Sequence, residues 1–101
     1  GLIKNPPRIY TDAFEMRLDM RQRPLPPVFQ WLKQSGEMSD FELARTFNCG
    51  IGMLVSVTPE RADEVMAAVR MTGEDIWQAG AIYERSGDDA VILENFASAW
   101  A

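Results

Sequence analysis

The chain has 101 residues and a formal net charge of −5 at pH 7. With 47% hydrophobic and 25% charged residues, residues 1–101 have the composition of one ordinary globular domain, which is not disordered and is too short to hold separate cofactor and substrate domains. The acidic balance disfavours nucleic acid as a partner, because phosphate backbones are bound by clustered Lys and Arg. No apolar run is long enough to span a bilayer and no leader pattern opens the chain, so we expect a cytoplasmic protein without membrane contact.

Several kinds of catalytic centre are excluded by residue types. The chain has one cysteine, Cys49, and no histidine, so it carries neither a Cys/His zinc set nor a histidine-activated nucleophile. A general base would have to be a carboxylate or come from a partner domain. The sequence leaves the catalytic residues unassigned and predicts no metal site.

The first third of the chain predicts a loop, a strand and a helix. In GLIKNPPR, Pro6 and Pro7 lack amide donors and favour an extended Asn5, which indicates a shaped loop. Apolar and charged residues alternate over residues 13–19, the period of a half-buried strand. A helix is expected over residues 27–34, with Gly36 as its stop signal.

The second helix has the best-marked start in the chain. Ser39 and Glu42 have the spacing of a capping box, and Met38 and Leu43 that of a hydrophobic staple. We expect this helix to run through Phe47 and to end at the glycine loop of residues 48–52.

The second half predicts strands around a third helix. Residues 53–57 are an apolar run typical of a buried strand, and a helix follows from Thr58 and Pro59 to Gly73. Residues 76–84 and 90–94 flank a turn and are predicted to pair as an antiparallel hairpin. The expected fold is therefore α+β: a mixed sheet with helices packed on one face and a right-handed crossover from residue 53 to residue 84. Residues 95–101 are expected to be a terminal extension.

The passage from the second helix into the glycine loop is the leading candidate site. Gly50 and Gly52 would let the backbone approach a ligand, and Thr46 and Asn48 add a hydroxyl and an amide. A tight turn between helix and strand is the alternative, and the spacing matches no nucleotide-binding fingerprint. Arg8, with Asn5 beside it, is a second candidate, either as a bidentate phosphate ligand or as a solvated charge.

Other noticeable residues have simpler interpretations. Cys49 is expected to be a small buried residue rather than a nucleophile. The acidic residues near the last turn are expected to be a solvated turn rather than a calcium loop; they are Glu84, Asp88, Asp89 and Glu94. Four aromatic residues are expected in the core, with room for one at a subunit contact: Phe29, Trp31, Phe41 and Trp77.

Three runs of the sequence closely resemble the C-terminal domain of the phosphoribosylformylglycinamidine cyclo-ligase (aminoimidazole ribonucleotide synthetase) family: GLIKNPPR, PPVFQWLKQSGEMSDFELARTFNCGIGM and PERADEVMAAVRMTGEDIWQAGAI. The resemblance extends from Gly1 to about Glu94. Family members carry a histidine-containing segment with a glycine run before the position of Gly1. The resemblance therefore implies a synthetase C-terminal domain truncated at its N-terminus, with its first strands missing and a sheet edge exposed.

The resemblance also implies an activity. Family enzymes use ATP to activate the formyl amide oxygen of formylglycinamidine ribonucleotide as a phosphate ester. An amidine nitrogen then closes the imidazole ring, which gives aminoimidazole ribonucleotide, ADP and phosphate in de novo purine biosynthesis. The implied partners are a second subunit in a homodimer and an N-terminal ATP-binding domain that holds most of the ATP and Mg²⁺, so the chain alone is expected to be inactive.

Carried over residue by residue, the resemblance places six residues at the substrate cleft, where they would orient the phosphate or amide of the ribonucleotide: Asn5, Arg8, Thr46, Asn48, Gly50 and Gly52. Packing between domains is the alternative role for these blocks. A free-standing, non-catalytic binding or assembly module on the same scaffold is the alternative function. Relatives in the same superfamily, namely a larger synthetase of the pathway and proteins of hydrogenase maturation and thiamine metabolism, are disfavoured by the PPVFQWL and RTFNCGIGM pair.

Overall fold

The computed structural model describes residues 1–100, at the centre of which lies a three-stranded mixed sheet. Strand β1 (Phe14–Asp19) is the middle strand. Strand β2 (Gly80–Glu84) pairs with it antiparallel on one edge, and strand β3 (Val91–Glu94) pairs parallel on the other. A mixed sheet combined with helices confirms the predicted α+β class.

The described residues also form four α-helices: α1 (Pro27–Ser35), α2 (Asp40–Thr46), α3 (Ala62–Met71) and α4 (Phe96–Ala99). Three short 3-10 turns lie at Pro6–Ile9, Met20–Gln22 and Pro59–Arg61. The first strand and the first two helices lie within a residue or two of their predicted positions. The third helix ends before Gly73, as expected, and that glycine has a φ of 89°.

The core lies on the face of β1 that carries Met16 and Leu18. In the register of the sheet, Ile82 of β2 and Val91 of β3 flank Met16, so one apolar row crosses all three strands. Helix α2 adds Leu43 and Ala44, which are fully buried. Burial of this apolar surface is the main stabilising contribution to the fold.

The C-terminal residues contact this core. Trp100, directly after α4, is 4% exposed, and its carbonyl accepts a hydrogen bond of 3.0 Å from Lys33 Nζ. The same ammonium is 2.5 Å from Asp40 Oδ1, so one lysine joins α1, α2 and the end of the chain. Ala101, the last residue of the predicted extension, lies outside the described residues, and the domain boundary at residue 95 stays a prediction.

The predicted antiparallel hairpin is wrong. β2 and β3 do not pair with each other, because β1 lies between them. Ser86 in their connection donates from its amide and its hydroxyl to the buried Glu15 of β1, at 2.7 and 3.0 Å. The turn residues predict a reversal of direction correctly, but they cannot tell a hairpin from a connection that crosses the end of another strand.

The predicted strand over residues 53–57 is also wrong, and with it the predicted crossover to residue 84. These residues are extended without regular secondary structure, and within the described part of the chain their backbone makes no hydrogen bonds. Met53 is 83% exposed. A strand forms only with a partner that completes its hydrogen-bond ladder, and this run faces β2 across a cavity instead of pairing with it.

Two of the four aromatic residues expected in the core are exposed. Trp31 on α1 is 63% exposed and Phe41 on α2 is 53% exposed. Phe29 and Trp77 are partly buried. Spacing at helical period predicts which residues share a face but not which face is covered.

Candidate functional site

Helix α2 leads into the candidate site, and side-chain hydrogen bonds fix its N-terminus. The Ser39 hydroxyl accepts from the Glu42 amide at 3.2 Å, and the Glu42 carboxylate accepts from the Ser39 amide at 3.1 Å, so the predicted capping box is confirmed. At the other end Phe47 closes the helix, and its ring packs on Phe29 with 5.9 Å between centroids. The following loop therefore begins from a position set by the core.

The loop itself is a tight turn in a left-handed backbone conformation. The Ile51 amide donates to the Asn48 carbonyl at 3.0 Å. Between them, Cys49 and Gly50 have φ values of 53° and 92°, the signs required in a type I′ turn. A positive φ is uncommon for a residue with a side chain, and such strain is often found at functional sites.

The two glycines of this loop differ in their surroundings. A Cβ at Gly50 would lie 2.7 Å from Cγ of Pro26, so the glycine lets the turn pack against the start of α1. A Cβ at Gly52 would meet nothing within 4 Å. Close packing accounts for Gly50, whereas Gly52 has open space around it.

Cys49 is buried, as predicted. Its thiol lies 3.7 Å from the carbonyl of Phe47 and 3.9 Å from that of Leu43, distances suitable for weak S–H donation. Burial raises the pKa of the thiol to about 11, which disfavours the reactive thiolate at neutral pH. The side chain fills space under the turn.

The NPPR segment is a short 3-10 turn rather than the predicted shaped loop without a helix. The expected extended Asn5 is also wrong: Asn5 lies at the N-terminal cap position of the turn with helical backbone angles and no side-chain capping bond, and Arg8 lies within the turn. Both side chains are exposed. The segment is tied to α2 by a backbone hydrogen bond of 2.7 Å from the Leu2 amide to the Ala44 carbonyl.

This hydrogen bond connects the two candidate blocks predicted from the sequence. It joins residue 2, three positions before Asn5, to residue 44, two positions before Thr46. Thr46 and Asn48 are both exposed at the end of α2. Four polar candidates therefore present side chains to solvent from two connected segments, and their role in binding stays a prediction.

A cavity of about 460 Å³ lies beneath the glycine turn. Gly50 lines it, and the other five predicted site residues do not. Its walls are mainly apolar and include Trp77 and Trp100. Arg23 also lines it, forming a 2.6 Å ion pair with Asp75 and lying 4.5 Å above the Trp77 ring.

The sequence did not reveal these lining residues. Arg23 and Asp75 are 52 positions apart, and no spacing rule connects residues at that separation. A second cavity of about 320 Å³ separates the extended residues 53–57 from the edge of β2, and none of the six predicted site residues lines it.

The acidic residues near the last turn are exposed, in agreement with the predicted solvated turn. Among residues 1–100, no group of three His, Cys, Asp or Glu side chains is arranged to hold a metal ion. No helix in the described range has the length and apolar character needed to cross a membrane.

Comparison with known proteins decides the family. The family model described as "AIR synthase related protein, C-terminal domain" matches residues 1–92. The chain belongs to this family. The resemblance noted from the NPPR, PPVFQWL and RTFNCGIGM blocks is thereby confirmed.

Two relatives of this AIR synthase C-terminal domain, from different species, have the same name. A phosphoribosylformylglycinamidine cyclo-ligase of Burkholderia pseudomallei is 44% identical over 94 residues, which is 92% of this chain and 27% of the relative. A protein of the same name from Paraburkholderia xenovorans is 41% identical over 90 residues, 89% of this chain and 25% of the relative. The domain thus spans about a quarter of the length of the curated relatives it matches.

Proposed function

We propose that the chain is the C-terminal domain of an ATP-dependent cyclo-ligase of purine biosynthesis in the cytoplasm. The reaction converts formylglycinamidine ribonucleotide and ATP to aminoimidazole ribonucleotide, ADP and phosphate. The observation that carries the proposal is 44% identity over 92% of the chain to a protein named as this cyclo-ligase. The family match over residues 1–92 includes the NPPR and RTFN segments, which the structure links through Leu2 and Ala44.

This domain would perform part of the reaction, and the rest of a longer protein would perform the remainder. ATP contributes the phosphoryl group that turns the formyl amide oxygen into a leaving group. The described residues do not fit a Mg²⁺ site, because they offer no cluster of three suitable ligands. We assign ATP, Mg²⁺ and the general base to an N-terminal domain, with the whole enzyme a homodimer, so the isolated chain is expected to be inactive.

This chain's own part is to hold the ribonucleotide. The Asn48 amide can both donate to and accept from a substrate amide, and the Thr46 hydroxyl can do the same two residues earlier. Arg8 can donate two parallel hydrogen bonds to phosphate. The turn between Asn48 and Ile51 is fixed by its own hydrogen bond and by the packing of Gly50 on Pro26. Such preorganisation lowers the entropic cost of orienting a substrate.

Calorimetry with formylglycinamidine ribonucleotide tests this placement. The variants Arg8→Ala and Asn48→Ala each remove one proposed contact from an exposed position. Arg61→Ala is the matched control, since Arg61 is exposed beside α3 and forms an ion pair with the exposed Glu64. We expect each site variant to weaken binding about tenfold and the control to leave it unchanged. Absence of measurable heat with the unmodified chain would contradict a ribonucleotide site on this domain.

A further inference from the structure

The last described residues form part of the cavity beneath the glycine turn. Residues 95–100, called the C-terminal segment below, follow β3 directly and lie beyond residue 92, where the family match ends. Trp100 lines the cavity and is buried. Cys49 lines the same cavity and is also buried. The C-terminal segment therefore supplies one wall of a cavity whose other walls lie within the matched part of the chain.

Two side-chain hydrogen bonds, one at each end, attach the C-terminal segment to the rest of the fold. At its start, Asn95 Nδ2 donates to Asp19 Oδ1 at 3.2 Å. At its end, Lys33 Nζ donates to the Trp100 carbonyl at 3.0 Å. Among residues 1–100, the other hydrogen bonds of the segment are internal, from residues 98–100 to the carbonyls of residues 95 and 96. The segment is thus held by two side-chain contacts and by the packing of one indole, without a hydrogen-bond ladder.

The start of the C-terminal segment has the backbone expected of a hinge. Asn95 has a φ of 61°, a left-handed conformation that asparagine adopts more readily than most residues. The helix that follows, α4, has four residues, and so short a helix has little stability of its own. Within the segment, the Phe96 and Trp100 rings meet edge to face with 6.0 Å between centroids. Rotation about Asn95 would therefore move both rings together.

We propose that the C-terminal segment is a gate on this cavity, which opens about Asn95 and gives access to the Cys49 thiol while the rest of the domain stays folded. Opening breaks the two side-chain hydrogen bonds and removes the Trp100 indole from the cavity wall. Local opening is characteristic of chain ends that are held by few hydrogen bonds. Because Gly50 lines the same cavity, opening also uncovers one side of the candidate turn. The gate does not depend on the proposed function.

Permanent closure is the competing explanation, because Trp100 belongs to the buried core. In that case the Cys49 thiol reacts only when the whole domain unfolds. The two explanations differ in their dependence on urea. Opening of a short segment exposes little surface and is nearly insensitive to urea, whereas global unfolding becomes steeply more frequent as urea is added.

The rate at which Ellman's reagent modifies Cys49 in the 101-residue chain, at several urea concentrations below the unfolding transition, tests the gate. We expect a rate that does not change with urea. Asn95→Gly suits the left-handed backbone and removes the hydrogen bond to Asp19, so it should raise the rate about fivefold. Trp100→Ala removes the wall itself and should raise it about tenfold or more. The matched control Trp31→Ala removes an exposed indole that does not line the cavity and should change the rate less than about twofold.

Two results would overturn the gate. One is a modification rate that rises with urea as steeply as global unfolding does, measured by tryptophan fluorescence in the same samples. The other is equal acceleration in Trp31→Ala and Trp100→Ala, which would indicate a general loss of stability. If Trp100→Ala does not fold, Asn95→Gly at its exposed position still decides the question: acceleration that is independent of urea supports the gate, and an unchanged rate rejects it.

Discussion

Alanine substitution at three glycines should separate two reasons for a glycine in the candidate turn, namely a positive φ and close packing against Pro26. Gly50 has a φ of 92° and would place a Cβ 2.7 Å from the Pro26 ring. Gly73 has a φ of 89° with nothing within 4 Å of its Cβ position. Gly52 has neither a positive φ nor a close neighbour. Gly50→Ala therefore introduces both backbone strain and a steric clash, Gly73→Ala introduces backbone strain alone, and Gly52→Ala introduces neither.

The expected free energies follow from these differences. A left-handed backbone costs a residue with a Cβ about 1–2 kcal/mol, and crowding in a packed site adds about 1–3 kcal/mol. Alanine also restricts the unfolded chain, which offsets about 0.4–1 kcal/mol. Gly50→Ala should lower the free energy of unfolding by about 2–4 kcal/mol and Gly73→Ala by about 1 kcal/mol. Gly52→Ala has neither cost, so only the offset remains, and it should raise the free energy of unfolding by about 0.4–1 kcal/mol.

Urea unfolding followed by tryptophan fluorescence measures the free energies, and thermal unfolding provides a second measure. In a domain of this size each kcal/mol corresponds to about 4–8 °C, so Gly50→Ala should lower the melting temperature by at least about 8 °C. Equal destabilisation by Gly50→Ala and Gly52→Ala would refute the argument, because it would show that neither the Pro26 contact nor the positive φ determines the loop.

Two further predictions concern buried ionisable groups. The hydrogen bond from the Ser86 amide to Glu15, with help from Arg17, holds the Glu15 pKa below its usual value of 4.5, so its ionised form stabilises the fold above that pH and the contribution is lost as pH falls. Urea unfolding should therefore show Glu15→Gln less stable than the unsubstituted chain at pH 7, with a gap that narrows at pH 3; a constant gap would contradict this. The Cys49 thiol, with its pKa raised from 9.0 to about 11, should react with iodoacetamide about a hundredfold more slowly at pH 8 in the native chain than in urea. Equal rates would show that the thiol is not buried.

Local signals predicted local structure well. The capping box of Ser39 and Glu42 marked the start of α2 because both of its hydrogen bonds lie within four residues. Alternation over residues 13–19 marked β1 because the pleat sets its period. Both signals depend only on residues that are close in sequence, and the structure confirms both elements.

Long-range partners were less predictable. β1 pairs with residues more than sixty positions away, and no pattern in residues 76–94 shows that a distant strand lies between the two strands predicted as a hairpin. Residues 53–57 have a strand-like composition but no hydrogen-bonded partner. At the candidate site, the glycine turn could be predicted from its residues, whereas the cavity walls at Trp77 and Trp100 came together only through the tertiary fold.

The most direct test of the central claim is ring closure by a chimeric enzyme. This chain would replace the matching 94 residues of the Burkholderia pseudomallei relative, leaving the rest of that protein unchanged. Formation of aminoimidazole ribonucleotide would be measured together with ADP release. We expect ATP-dependent ring closure by the chimera, loss of most activity in its Asn48→Ala variant, and no activity from the chain alone. A folded chimera without ring closure, or ring closure by the isolated chain, would contradict the account.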